Sequence, residues 1–195
     1  MFDVRKKLVI GVAVAVTLIL SGCAAATPAT DSGSSSGSSS AAEASFNDAD
    51  VTFAQMMIPH HEQAVEMSDT LLSKDGIDAP IRELATQIKD AQQPEIDQLK
   101  QWLGDWGAAE TSMPGMDHGG GMMSESDMTA LTEAPDAEAG RLFLEQMIIH
   151  HEGAVVMAQS EISDGKNADA IAMAETIVAT QSDEITVMKD LLAGS

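Results

Sequence analysis

Apolar positions recur along two stretches of the chain with the same helical period. Phe53, Met57, His60, Ala64, Met67 and Leu71 follow steps of four and three, which puts them on one stripe of a helix. Phe143, Met147, His150, Ala154 and Met157 do the same. A neighbouring stripe carries Ile58, His61 and Val65 in the first stretch and Leu144, Ile148, His151, Val155 and Ile162 in the second. Phe53 to Met67 overlies Phe143 to Met157 at a spacing of ninety residues, with the phenylalanine, methionines, His-His-Glu triplet and Ala-Val pair coincident. After deletion of one loop residue, Ala85, Ile88, Gln92, Glu95, Ile96, Lys100 and Leu103 fall on Ala174, Ile177, Gln181, Glu184, Ile185, Lys189 and Leu192. A helix pair present twice predicts an all-α fold, a four-helix bundle built from two repeated helical hairpins.

The punctuation agrees with this pattern. Asn47 or Asp48 is placed to cap the first helix, Pro80 and Pro135 stand where helices start, and Asp75-Gly76 and Asp164-Gly165 stand where they stop. Pro59 and Pro94 fall inside predicted helices, and each should kink its helix or loosen a turn. Between the hairpins, Gly104 to Glu133 is rich in Gly, Ser and Met and carries Met113, Met116, His118, Met122 and Met123. It predicts a mobile segment, a candidate capture arm for a metal, rather than a fifth helix.

Two segments precede the repeat. Arg5, Lys6 and Lys7, an apolar run from Leu8 to Leu20, and Leu20-Ser21-Gly22-Cys23 have the layout of a lipoprotein signal peptide over residues 1–22, with Cys23 lipidated as the mature N-terminus. The apolar run is short for a membrane span. Residues 23–45 are dominated by Ser, Gly, Ala and Thr and predict a flexible tether. Residues 46–195 then form one domain, held at a membrane outside the cytoplasm, on the cell surface or in the periplasm. Cys23 is the only cysteine, so the domain has no disulfide and no thiolate ligand or nucleophile. Loss of residues 1–22, which hold three bases and one acid, moves the formal charge from −21 to −23. Such a field repels nucleic acid and concentrates cations.

The chemistry lies in the repeat. Adjacent histidines diverge on a helix, but Met57 projects between His60 and His61, and Met67 lies beneath His60. Met147, His150, His151 and Met157 repeat the arrangement. Two imidazoles and two thioethers thus share the apolar face of each helix. A methionine stripe alone is ordinarily core, and a lone buried histidine is ordinarily a hydrogen-bonded core residue. Four inward imidazoles each need a partner, and a metal supplies one. Gln92 and Glu95, with Gln181 and Glu184, repeat inside the opposing seams as candidates to support the histidines from behind.

Imidazole suits copper, zinc, iron and nickel, whereas thioether favours Cu(I); with thirteen methionines in the chain, copper as Cu(I) or Cu(II) leads and zinc and iron follow. Ferritin-type carboxylate sites require Glu three residues before His, and those positions hold Met57, Ile58, Met147 and Ile148. Glu62 and Glu152 project away from His60 and His150; they cap the site from outside, pair between hairpins or are solvated. No His-Glu-x-x-His is present, and no catalytic constellation is recognised.

Met-x-x-His-His-x-x-Ala-x-x-Met, followed by Ala-x-x-Ile-x-x-x-Gln-x-x-Glu-Ile, resembles the bacterial family known as domain of unknown function 305, across residues 46–192 and in both copies. The resemblance implies a ferritin-like fold, export, and in some members copper binding and copper tolerance. It also implies that Met57, His60, His61, Met67, Met147, His150, His151 and Met157 form the characteristic surface. Pro59 has no counterpart in the second copy, where Ile149 stands. The leading expectation is a copper-binding lipoprotein that buffers, sequesters or passes on the metal, as a monomer or homodimer and with a copper-handling partner protein. Two other readings stay open: a non-metal acidic interaction module, and a copper- or iron-dependent oxidase.

Overall fold

The computed structural model describes residues 45–110 and 120–194. Five helices occur among these residues: α1 (Asp48–Leu72), α2 (Ala79–Trp106), α3 (Glu125–Glu133), α4 (Asp136–Asp164) and α5 (Ala168–Gly194). No strand occurs among the described residues, and none of the helices there is long and apolar enough to cross a membrane. The signal peptide, Cys23 and all of the tether but Ser45 lie outside the described residues.

The helix starts follow local chemistry. The Asn47 side chain accepts from Ala49 N–H and Asp50 N–H while the Asp50 carboxylate returns a bond to Asn47 N–H, a reciprocal cap that satisfies donors the first turn leaves over. Pro80 sits in the first turn of α2, where a missing N–H costs nothing. Gly107 ends α2 in the left-handed conformation at φ 67°, which glycine adopts without strain. Pro59 and Pro94 both lie within continuous helices. At the end of the first hairpin helix, α1 stops at Leu72, ahead of the Asp75-Gly76 pair.

One expectation is corrected. The stretch read as a mobile segment from Gly104 to Glu133 includes the last turn of α2 and a fifth helix, α3. Ser124 and Asp127 form a second reciprocal cap, Met123 and Met128 pack on the core across that first turn, and Leu131 is fully buried. Nine residues with a cap and one buried leucine are too short to hold as an isolated helix, so α3 depends on docking.

The hairpins α1–α2 and α4–α5 meet through α1 and α4. The N-terminus of α1 lies beside the C-terminus of α4: the Asn47 side-chain amide donates to the Asp164 carbonyl at 2.9 Å, and Asp50 Oδ1 accepts from Lys166 N–H and Asn167 N–H at 3.0 and 2.8 Å. The two helices are therefore antiparallel, and the repeat produces a pseudo-two-fold seam. Two apolar clusters result. One joins Met67, Leu71 and Ile88 to Phe143, Met147 and Met188; the other joins Phe53, Met57 and Leu99 to Ala154, Met157 and Ile177. Each cluster pairs the turn end of one hairpin with the open end of the other. Between them in both helices stands the His-His turn.

Candidate metal centre

His60, His61, His150 and His151 are all fully buried. Their helical stripes face into the seam because the flanking residues, Met57 and Ala64 in α1 and Met147 and Ala154 in α4, are themselves fully buried. The His60 and His150 rings meet across the pseudo-two-fold axis with centroids 3.7 Å apart and planes inclined by 41°. Burial first, and then the neighbouring rings of His61 and His151, push the His60 imidazole down from its ordinary 6.5 to about 3. Burial first, and then the rings of His60, His151 and His61, put His150 well below the usual imidazole range. Both rings are therefore neutral at physiological pH, which is the form that ligates metals.

The outer histidines differ. His61 Nε2 lies 2.8 Å from Glu95 Oε2, and His151 Nε2 lies 2.7 Å from Glu184 Oε2. These are the same contact in the two copies. A carboxylate on one ring nitrogen fixes the ring's orientation and tautomer and directs the other nitrogen inward as an acceptor. Gln92 and Gln181, one turn before those glutamates, are buried at 3% and 2% exposure.

The hydrogen-bond accounting is unusual. Both ring nitrogens of His60 and of His150, Nδ1 of His61 and of His151, both amide atoms of Gln92 and Oε1 of Gln181 have no hydrogen-bond partner among the described residues. Each buried polar group left in that state costs about 1–3 kcal/mol. A cationic guest that accepts imidazole lone pairs relieves the cost, and the donor set of imidazole and thioether is that of a soft or borderline metal. Among the described residues, no three His, Cys, Asp or Glu groups are already arranged to hold an ion. A coordination sphere here has to draw on thioether sulfur or on ring rotation.

The remaining sequence candidates separate clearly. Met57, Met67 and Met147 are fully buried and Met157 is 7% exposed, with Met57 and Met157 in one apolar cluster and Met67 and Met147 in the other. Glu62 and Glu152 lie outside: they are exposed and take Lys100 at 2.6 Å and Lys189 at 3.5 Å within their own hairpins. That outward geometry leaves them no contact with the ring nitrogens. Met113, Met116 and His118 lie outside the described residues. Met123 is half-buried on the core rather than extended as a capture arm, and its main chain is clamped by Gln63, which accepts from Met123 N–H at 2.7 Å and donates to Met123 O at 2.9 Å. Met122 is likewise half-buried.

That clamp was not foreseen. Gly120 and Gly121 run across the bare backbone of Gly153, where a Cβ would fall 1.7 Å from the Gly120 carbonyl oxygen. Gln63 and Gly153 are equivalent positions of the repeat, so this strap bridges α1 and α4 next to the His-His turns. The signal available in the sequence was the mismatch of Gln and Gly at one of the few unmatched positions within the motif.

Residues 50–192 match the family described as domain of unknown function (DUF305). The chain belongs to this family. DUF305 structures share its architecture: one from Streptomyces coelicolor is 32% identical with a TM-score of 0.71, over 75% of this chain and 93% of that one. A fragment from Deinococcus radiodurans is 31% identical with a TM-score of 0.69, over 76% and 98%. The protein CopM, solved in a Cu(I)-bound form, is 28% identical with a TM-score of 0.65, over 74% and 96%. CopM has also been solved in Cu(II)-bound and Ag-bound forms. No curated protein matches the chain. The fold expectation is thus met at the level of an all-α DUF305 domain, with α3 added to the four helices of the repeat.

Proposed function

We propose that this DUF305 chain binds copper in the α1/α4 seam and serves outside the cytoplasm to buffer, sequester or hand on the ion. The observation that carries the proposal is the set of buried, unpartnered imidazole nitrogens on His60, His61, His150 and His151, at the centre of the repeat. Copper is the cargo, and the residues proposed to hold it are these histidines with thioether sulfur drawn from Met57, Met67, Met147 and Met157. Glu95 and Glu184 act behind the outer histidines by holding their rings. Neutral imidazoles in the seam mean that no proton has to leave His60 or His150 before an ion enters at neutral pH. Copper and silver binding by CopM, at 28–29% identity, supports the choice of metal. The Streptomyces relative is described as secreted, which agrees with the proposed export; lipid anchoring at Cys23 is proposed from the sequence of residues 1–23 alone.

The test is metal analysis of the soluble domain after copper loading, with all four histidines changed to alanine in the comparison protein. The proposal expects bound copper in the wild type and none above background in the variant. Undiminished copper in the variant would sink it.

A further inference from the structure

The pseudo-two-fold symmetry relates two halves of the outer α1/α4 face, and only one half is covered. On that half α3 docks on Lys74 and Gln146, with Glu66 exposed at its edge: Gln146 donates to the Asp127 carbonyl at 2.9 Å, and Lys74 Nζ donates to the carbonyls of Thr132 and Ala134 at 2.8 and 2.9 Å. Subtracting or adding the ninety-residue repeat carries these three positions to Val156, Asp164 and Met56. Those residues, with Phe53 and Met157, line an open groove of about 450 Å³. Val156 is 62% exposed there, beside the apolar floor formed by Phe53, Met56 and Met157.

The substitutions between the halves specify a different occupant from α3. Gln146 becomes Met56, so the floor loses its polar anchor and gains a thioether. Lys74, which binds the C-terminal carbonyls of α3, becomes Asp164, which repels a bare helix C-terminus. Asp48 adds a second carboxylate to the rim. A second copy of this chain fits poorly, because α3 holds Glu125, Asp127 and Glu133 with no base, and the whole chain carries −21. We propose that this groove docks a short cationic amphipathic helix of a partner protein, with apolar residues on the floor and Lys or Arg in its last turn against Asp164 and Asp48. The chemistry is that of a helix in a groove, with i, i+3, i+4 and i+7 anchors.

The probe is a synthetic amphipathic peptide of about twelve residues, the length of an ordinary short helix, with Leu anchors and Lys in the last turn. A twin carries Glu in place of Lys. Binding of each to the full chain is read by fluorescence anisotropy, and the proposal expects the Lys peptide to bind and the Glu peptide to fail. Attraction to an acidic protein alone is separated by Val156→Glu, which adds negative charge. Groove docking expects Val156→Glu to weaken the Lys peptide by about tenfold or more, whereas diffuse attraction expects it to bind more tightly. Val187→Glu, at an exposed valine on α5, is the matched control and should leave affinity unchanged. Absence of binding by the Lys peptide, or equal binding to wild type and Val156→Glu, overturns the proposal. So does a wild-type dimer in sedimentation that Val156→Glu dissociates, since the groove would then belong to a second copy.

Discussion

At the centre of the α1/α4 seam four imidazoles are buried with most of their ring nitrogens unpartnered, whereas at one end of the same seam two buried carboxyls lie together, Asp50 supplied with main-chain donors and Glu161 paired only with Asp50. Asp50 accepts main-chain N–H groups from Asn47, Lys166 and Asn167, which hold it below its ordinary value against the opposing effect of burial. Glu161 is pushed up to about 8, first by burial and then by its hydrogen bond with Asp50, so it is protonated at neutral pH and donates to the Asp50 carboxylate. Gly165 leaves room for it: a Cβ there would come within 2.4 Å of Glu161 Oε1. The acid pair stands in one copy only, since the repeat places Gly140 and Leu71 at the corresponding positions. The histidines stand in both. An unsatisfied group present twice, at the symmetry centre, is costly in the metal-free protein and is best explained by its guest. A carboxyl pair present once, with Asp50 bonded to the main chain of Asn47, Lys166 and Asn167, is explained by the local task of joining the start of α1 to the start of α5.

The contrast breaks most sharply under apolar substitution. His60→Leu with His150→Leu should abolish seam copper and raise metal-free stability by about 1–3 kcal/mol, the usual cost of burying an unpaired polar group. Chemical denaturation in the presence of a chelator checks this; a large loss of stability would mean that the imidazoles already have partners. Next in size is the effect of the guest. Copper at about a hundred times its dissociation constant should stabilise the wild type by about 2.7 kcal/mol, visible as a raised melting temperature that chelator reverses and the leucine variant lacks.

The two sites also oppose each other in pH. His60 has its folded value depressed from 6.5 to about 3, so the unfolded chain binds more protons between those limits. Metal-free stability should therefore be fully present above pH 6.5 and fall as the pH drops through that window. Glu161 has its folded value raised from 4.5 to about 8, so its contribution is fully present below 4.5 and is lost as the pH rises through 8. Glu161→Gln keeps a donor for Asp50 and removes the titration; the alkaline loss of stability should flatten while copper binding is unchanged. Thermal melts at pH 5, 7 and 9 separate the two slopes, and an unchanged alkaline slope in the variant would count against the shared proton. The smallest effect belongs to the strap. Gly153→Ala gains up to about 1 kcal/mol of helix propensity but displaces Gly120 and Gly121, so hydrogen exchange at Gly121 to Met123 should accelerate with little change in global stability.

Much of this was legible in the sequence. The ninety-residue repeat gave four of the five helices and brought His60, His61, His150 and His151 to one face, because helical period and burial are both written in the spacing of Phe53, Met57 and Met67. Glu95 and Glu184 were found for the same reason, as polar residues inside an apolar seam. The antiparallel pairing of α1 with α4 was not legible, since nothing in either copy states which end of the other it meets. That pairing decides that the His60 ring meets that of His150 and that Met57 joins Met157 rather than Met147. α3 escaped because it is only nine residues long and its Gly-rich approach dominated the composition; Ser124 and Asp127, spaced as a reciprocal cap ahead of Leu131, were the signal. Asp50, Glu161 and Gly153 were visible only as mismatches between copies, which a search for agreement passes over.

The hairpins touch chiefly through α1 and α4, and the His60 and His150 rings span that contact. An ion gripped from both sides would rivet one hairpin to the other. Its residence time would then be governed by how often the halves part, not by bond strength alone, so a recipient that pries α1 from α4 would unload the protein faster than one that merely competes for the ion.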